Sequence, residues 1–408
     1  MRNGYMRVTT GKLDRHTPSN ERDIFLRSNL AKIPERLLLA HARGQVLFIA
    51  GAGVSIPSRL PDFGELVCQI YKQLDSVVYE IISSKEVIKS YRQDDVNISD
   101  QQKAEVKRFI AEDYDVVLGL LERRMDDRSQ RKSLVRKTVI ELLCQPDIKP
   151  ASIHRSLMRL ADRGGAVTMV TTNFDLLLED AAKRMGAPVQ SYALGGIPRP
   201  TLNSEFSGVM HIHGALDRNP KRASDMILTD HDFGEFYLRS RVVSDFIYDA
   251  TRLFHLVLVG YSANDPPMKY LFNAIAADVS RFSDIKERFI FVATNDPVEL
   301  AEWKGRGITP VAYKDENEHS QLHETLERWA LLSADSGKRV INAEIKRIVS
   351  TARNATSDAD RDLFDHLIRR SDSNERIRLA AFVSKKRADH GWLDAIVGIM
   401  SENVREGE

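Results

Sequence analysis

Four short segments carry residues whose types could do chemistry together: Phe48-Ile49-Ala50-Gly51-Ala52-Gly53-Val54-Ser55, Val170-Thr171-Thr172-Asn173-Phe174-Asp175, His211-Ile212-His213-Gly214 and Leu258-Val259-Gly260-Tyr261-Ser262. Gly51 and Gly53 let a backbone approach a pyrophosphate, a following helix N-terminus would add N–H donors, and Ser55 can add a hydroxyl. The Asn173 amide can donate to and accept from a ribose hydroxyl or a water, and Asp175 can accept from a carboxamide. His213 sits beside a glycine that leaves room for ligand and is the candidate base; His211, two residues earlier, would point to the same face. A glycine turn for a phosphate, an Asn and an Asp from one loop and a His from another describe a dinucleotide site equipped for chemistry.

Each segment also has a plainer reading. Gly-Ala-Gly lacks the third glycine of the usual dinucleotide fingerprint, and no acidic residue follows at the expected spacing, so a tight strand-to-helix turn would suffice. Asn173 or Asp175 could simply cap the next helix, and a strand-end histidine can be a satisfied polar group. The four segments together favour the functional reading.

Elements must place these residues side by side. Each segment ends an apolar run that reads as a buried parallel strand, where an open α/β sheet gathers its ligand-binding groups. Strands are expected at 46–50, 167–171, 208–212, 255–260, 288–293 and 308–312. Helices are expected at 20–42, 63–83, 103–145, 154–163, 174–183, 230–254 and 265–279, with a polar, irregular stretch at 84–100. A loop holding Gly195, Gly196, Pro198 and Pro200 would cover a cleft. Beyond about Ser336 the pattern turns helical, at 338–352, 358–370 and 374–387. The expectation is an α/β fold with a doubly wound, mostly parallel Rossmann-like sheet, a helical insert and a helical C-terminal region. The expected organisation is an N-terminal helical segment (1–44), a catalytic domain (45–315) with an insert at about 84–150, and a C-terminal helical region (316–408).

Composition narrows the class. With 408 residues, 42% hydrophobic and 29% charged, the chain suits one large α/β domain with helical additions. A net charge of +1 supplies no global field for nucleic acid or an anionic membrane. Two cysteines, Cys68 and Cys144, are too few for a structural zinc site or a disulfide framework, which fits a reducing cytoplasm. No apolar run approaches the roughly 18 residues of a membrane span, and residues 1–22 are polar and mixed in charge rather than a signal peptide. The reading is a soluble cytoplasmic protein.

With these motifs in order, the chain resembles the sirtuin-like NAD-binding family over roughly 45–315, in the divergent bacterial branch of NAD-consuming antiphage effectors. The matching positions are Gly51 to Ser55, Pro61-Asp62-Phe63, Thr171 to Asp175, His213-Gly214, Gly260-Tyr261-Ser262 and Asn295. The resemblance implies catalytic roles for Asn173 and His213. It places Gly51, Ala52, Gly53, Ser55, Asp62, Phe63, Thr172, Asp175, Gly260, Tyr261, Ser262 and Asn295 around the dinucleotide. Departures weaken a deacylase reading: the paired Cys-x-x-Cys zinc module is missing, Gly64 stands in place of an arginine, and Thr172 replaces a glutamine. The insert and the segment Gly260-Tyr261-Ser262-Ala263-Asn264-Asp265-Pro266 look like the defence branch.

The implied activity is NAD hydrolysis to nicotinamide and ADP-ribose, with NAD as substrate and no zinc. The cationic pyridinium leaves as a neutral group, so the reaction needs no general acid and no glycosidase-type carboxylate pair. A deacylase or ADP-ribosyltransferase would use the same cleavage with another nucleophile, and a non-catalytic subunit would only bind NAD or ADP-ribose. The resemblance also implies a homo-oligomer and a separate hexameric HerA-like ATPase as partner. Nothing in the chain resembles a metal-carboxylate nuclease motif.

Overall fold

The computed structural model describes residues 22–84, 86, 88, 97–126, 133–145, 147–216, 226–261, 266–278, 284–333, 337–386 and 388–405. A short antiparallel pair opens it, β1 (Asp23–Phe25) and β2 (Lys32–Pro34), with Ile24 opposite Ile33. The helical spacing read over 20–42 is therefore corrected: the helix runs only over Glu35–Ala42. Pro34 precedes it because proline lacks the N–H and the room that a helix interior requires, and it serves as the N-cap.

Seven strands form the main sheet: β3 (Val46–Ala50), β4 (Thr168–Thr171), β5 (Ser191–Ala193), β6 (Gly208–His211), β7 (His255–Val259), β8 (Arg288–Val292) and β9 (Thr309–Ala312). Their order is β5-β6-β4-β3-β7-β8-β9, and every neighbouring pair is parallel. The doubly wound parallel sheet expected from the alternation of apolar runs and helices is present. β5 is an edge strand inside the expected cover loop; three residues are too short a run to register as a strand in the pattern.

Burial on both faces follows the period of two. Val46, Phe48 and Ala50 face one side, where helices Glu35–Ala42, Ser152–Leu160, Leu177–Arg184 and Ser320–Ser333 cover them. Leu47 and Ile49 face the other, under Val242–Leu253, Pro266–Asp278 and Trp303. The first of these cores continues without interruption into helices Lys338–Ile348, Asp358–Arg369, Ser373–Lys385 and His390–Arg405. Buried Glu35 ties the two ends of the chain, with Arg369 Nη1 at 3.0 and 3.2 Å from its carboxylate oxygens and His366 Nδ1 at 3.4 Å.

A third core joins the insert expected at about 84–150 to the chain before it: the helix expected over 63–83 divides into Phe63–Leu74 and Ser76–Ile82, the one over 103–145 into Asp100–Ile110, Tyr114–Met125 and Leu134–Leu143, and the five pack around Val67, Ile70, Val106, Val117 and Val139. Most of the stretch read as irregular at 84–100 lies outside the described residues. The single helix expected over 230–254 is interrupted. An α-helical turn (Asp230–Phe233) passes into a π-helical turn (Gly234–Arg239), and the chain restarts after Arg241, at φ 58°. Insert and interrupted helix are clamped together: Arg123 grips Asp230 at 3.0 and 3.2 Å, and Arg136 reaches Asp232 at 2.7 Å and Glu122 at 3.0 Å.

Candidate functional site

From β3 the chain winds out to β4 on one side, and β7 pairs on the other, so the sheet's switch point lies between β3 and β7. Crevices for ligands open there, at the carboxyl ends of the strands. Register brings the singled-out loops to that edge together. Ala50 pairs with Thr171 and Val259, and Thr171 pairs with His211. Asn173 and His213 thus each lie two residues beyond a common rung.

The glycine turn is shaped by its own neighbours. A Cβ on Gly51 would meet Gly260 O at 2.6 Å and the Tyr261 ring at 2.9 Å; one on Gly53 would meet Gly260 Cα at 2.9 Å. Gly260 lies at φ +69°, and a Cβ there would come within 2.5 Å of Val54 N. These glycines let two loops cross at backbone contact. The expected helix N-terminus after the turn is instead a pair of 3-10 turns, Ala52–Val54 and Ile56–Ser58, and the α-helix begins only at Phe63. Gly53 N–H donates to Gly260 O, Val54 N–H to Gly51 O and Ser55 N–H to Ala52 O. Among the described residues the Ala52 N–H meets no acceptor.

A directed chain of hydrogen bonds crosses from this turn to the β4 loop. Asn173 Nδ2 donates to Gly51 O and to Ser55 Oγ, both at 3.0 Å, and Ser55 Oγ donates to Asp175 Oδ2 at 2.8 Å. Because Gly51 O is only an acceptor, the amide orientation is set. Both Nδ2 hydrogens are used, and Oδ1 meets no donor among the described residues. Asn173 therefore presents an acceptor. Asp175 Oδ1 accepts from the N–H of Leu177, the first residue of the next helix, at 3.1 Å; burial pushes its carboxyl above the usual range.

His213 is 5% exposed, with Nε2 2.6 Å from the Tyr237 hydroxyl and the Phe233 ring edge-on at 5.6 Å. Burial lowers its pKa to about 3, so the ring is neutral. His211 is fully buried on Asn173 O and Glu179. Tyr261 spans the end of β3, its hydroxyl donating to Thr172 Oγ1 at 3.0 Å.

The other expected positions lie further out. Asp62 is exposed and caps the Phe63–Leu74 helix by accepting Glu65 N–H at 2.7 Å. Phe63 stacks edge-on against Tyr114 at 6.1 Å. A Cβ on Gly64 would meet the Tyr114 ring at 2.9 Å, so the ring lies close over the glycine that stands where the resemblance has arginine. Asn295 is exposed in the loop after β8, beside the helix cap Asp296. Ser262 lies outside the described residues, as do Ala263, Asn264 and Asp265. Tyr237 and Glu179 were not singled out by sequence: one reaches His213 only through the π-helical turn, and the other was hidden in a helix that reads as ordinary. Among the described residues no group of three or more His, Cys, Asp or Glu is placed to hold a metal, and no helix is long and apolar enough to cross a membrane.

Residues 167–311, from the residue before β4 into β9, match the SIR2-like domain family. The chain is also 32% identical over 365 residues to an uncharacterized protein, y4cA, of Sinorhizobium fredii; the match takes in 83% of this chain and 28% of that protein. The chain therefore spans little more than a quarter of that relative's length. The SIR2-like match points to NAD-related chemistry.

Proposed function

We propose that the crevice at the ends of β3, β4, β6 and β7 cleaves the nicotinamide–ribose bond of NAD, with water as the acceptor. The observation that carries the reading is the Asn173–Ser55–Asp175 chain. It fixes a side-chain amide so that its oxygen is left as the acceptor in the loop after β4, while the buried neutral His213 follows the neighbouring strand β6 at the same edge of the sheet. In the reaction the C1′–N bond breaks and its electron pair moves onto the pyridine nitrogen, so nicotinamide leaves uncharged. Water then bonds to C1′ and passes one proton to bulk solvent, so that NAD and water give nicotinamide, ADP-ribose and a solvated proton.

Asn173 Oδ1 accepts from a ribose hydroxyl or that water and holds it in line. His213, neutral at every physiological pH, accepts from a hydroxyl; with so low a pKa it polarises the O–H bond more than it removes the proton. Asp175 holds the carboxamide, the Ala52 N–H meets the pyrophosphate, and Gly260, Tyr261 and Asn295 line the adenosine side; the family resemblance assigns Ser262 to the same side. The catalytic unit proposed is 45–315. The family resemblance extends the reading to NAD depletion in antiphage defence by a homo-oligomer under the control of a separate hexameric HerA-like ATPase.

Nicotinamide release from NAD by the purified chain, with and without that ATPase, tests the reading. Asn173→Ala and His213→Ala should each lower turnover by about two orders of magnitude. Full activity in either variant overturns the assignment. Release that needs an added acceptor would move the reaction to group transfer, and tight NAD binding without release would make the chain a binding subunit.

A further inference from the structure

His211 ends β6 with no solvent exposure, and both its ring nitrogens meet acceptors. Nδ1 is 2.9 Å from the Asn173 carbonyl oxygen and Nε2 is 2.7 Å from Glu179 Oε1. A carbonyl oxygen cannot donate, so Nδ1 carries a hydrogen. A neutral ring then has none left for Nε2, yet a contact of 2.7 Å to a carboxyl oxygen needs a proton between the two atoms.

Burial opposes charge on the ring, but the hydrogen bond and charge of Glu179, the Asn173 carbonyl and the charge of Asp175 outweigh it, and the His211 pKa is raised. Burial opposes charge on Glu179 too, and His211 outweighs it, so that carboxyl is lowered. The shared proton sits on the ring. The charged groups facing His211 are Glu179, on the helix after β4, and Asp175, in the loop before it.

The geometry points to His211 as a positioning residue: a buried imidazolium, held by Glu179, that pins the main chain of Asn173 so that its amide stays on Gly51 O and Ser55 Oγ. This deepens the NAD-cleavage reading, and the test is chosen so that the two can fail separately. Above the His211 pKa the ring keeps one hydrogen, which the Glu179 carboxylate holds on Nε2, so Nδ1 no longer donates to the Asn173 carbonyl and the Asn173 loop is released.

The full chain, labelled with nitrogen-15 at histidine and at asparagine side chains, gives a readout free of activity. The His211 signal is identified by its loss in His211→Gln. At pH 7 both His211 ring nitrogens should carry hydrogen, and Glu179→Gln should leave only one protonated and shift the Asn173 side-chain amide. In nicotinamide release, Glu179→Gln should move the alkaline limb of the kcat/KM profile at least one pH unit lower. Glu179→Asp, which keeps the carboxylate, should restore part of that shift. A neutral His211 at pH 7, an Asn173 amide unmoved by Glu179→Gln, or an equal loss of rate at all pH values would overturn the proposal. Absence of nicotinamide release in the unmutated chain would sink the catalytic reading alone, because the resonance arms still decide the positioning role.

Discussion

Ser55→Ala is the sharpest single perturbation of the candidate site. Ser55 is 3% exposed; its hydroxyl accepts from Asn173 Nδ2 at 3.0 Å and donates to Asp175 Oδ2 at 2.8 Å. Removing the oxygen leaves a buried carboxylate without its hydroxyl donor, a loss of about 1.5–3 kcal/mol for a bond to a charged group. It also leaves one Asn173 N–H unpaired, at about 1–2 kcal/mol. The sum is about 2.5–5 kcal/mol, roughly two to four orders of magnitude in the folding equilibrium. In an Asp175→Asn background the charged part is already gone, so Ser55→Ala should cost only about 1–2 kcal/mol. The coupling between the two residues should therefore be about 2 kcal/mol. Urea unfolding of the four proteins of this cycle at pH 7 measures it. The coupling should shrink as pH falls through the raised Asp175 pKa, since the protonated acid no longer needs the donor. Additivity within about 0.5 kcal/mol would refute a connected chain.

Gly260→Ala places a Cβ at φ +69° and 2.5 Å from Val54 N, so strain of about 1–2 kcal/mol adds to overpacking of about 1–3; thermal unfolding unchanged within a degree would contradict the loop crossing. His213, pushed down to about 3 by burial, should show the nitrogen-15 shifts of a neutral ring from pH 5 to 8, and a titration inside that window would refute the buried setting. Glu35 is buried, which opposes its charge, but His366 and Arg369 hold its pKa below the usual 4.5. Its contribution is thus present above that value and lost as pH falls through the folded-state pKa. Glu35→Gln should cost about 3 kcal/mol at pH 7 and flatten the acid limb of stability, measured by denaturant midpoints against pH; an unaltered acid limb would count against the ion cluster.

Much of the site was legible in the chain because its parts are short and sit at strand ends. Apolar runs of four to six residues mark buried parallel strands, and the residue after each run must emerge at the carboxyl edge. That logic located Gly51, Asn173, His213 and Gly260 without coordinates. It misread 22–34, where Ile24, Leu30 and Ile33 fit a helical period but Ile24 and Ile33 in fact face each other across a hairpin. Burial of Ile24, Leu26 and Ile33 satisfies either geometry, and only pairing against the rest of the core separates them.

Sequence by itself determined the layered α/β plan, the order of the loops and the residue types gathered at one edge, because period and strand-end position are local properties. Tertiary structure alone decided what those residues can do. Asn173 accepts rather than donates because Gly51 O and Ser55 Oγ take both its hydrogens. His213 is neutral because the fold buries it under Tyr237 and Phe233. His211 and Glu179 share a proton across an otherwise unremarkable helix. Protonation and hydrogen-bond direction depend on neighbours remote in the chain and on the water the fold removes, and no local pattern encodes either.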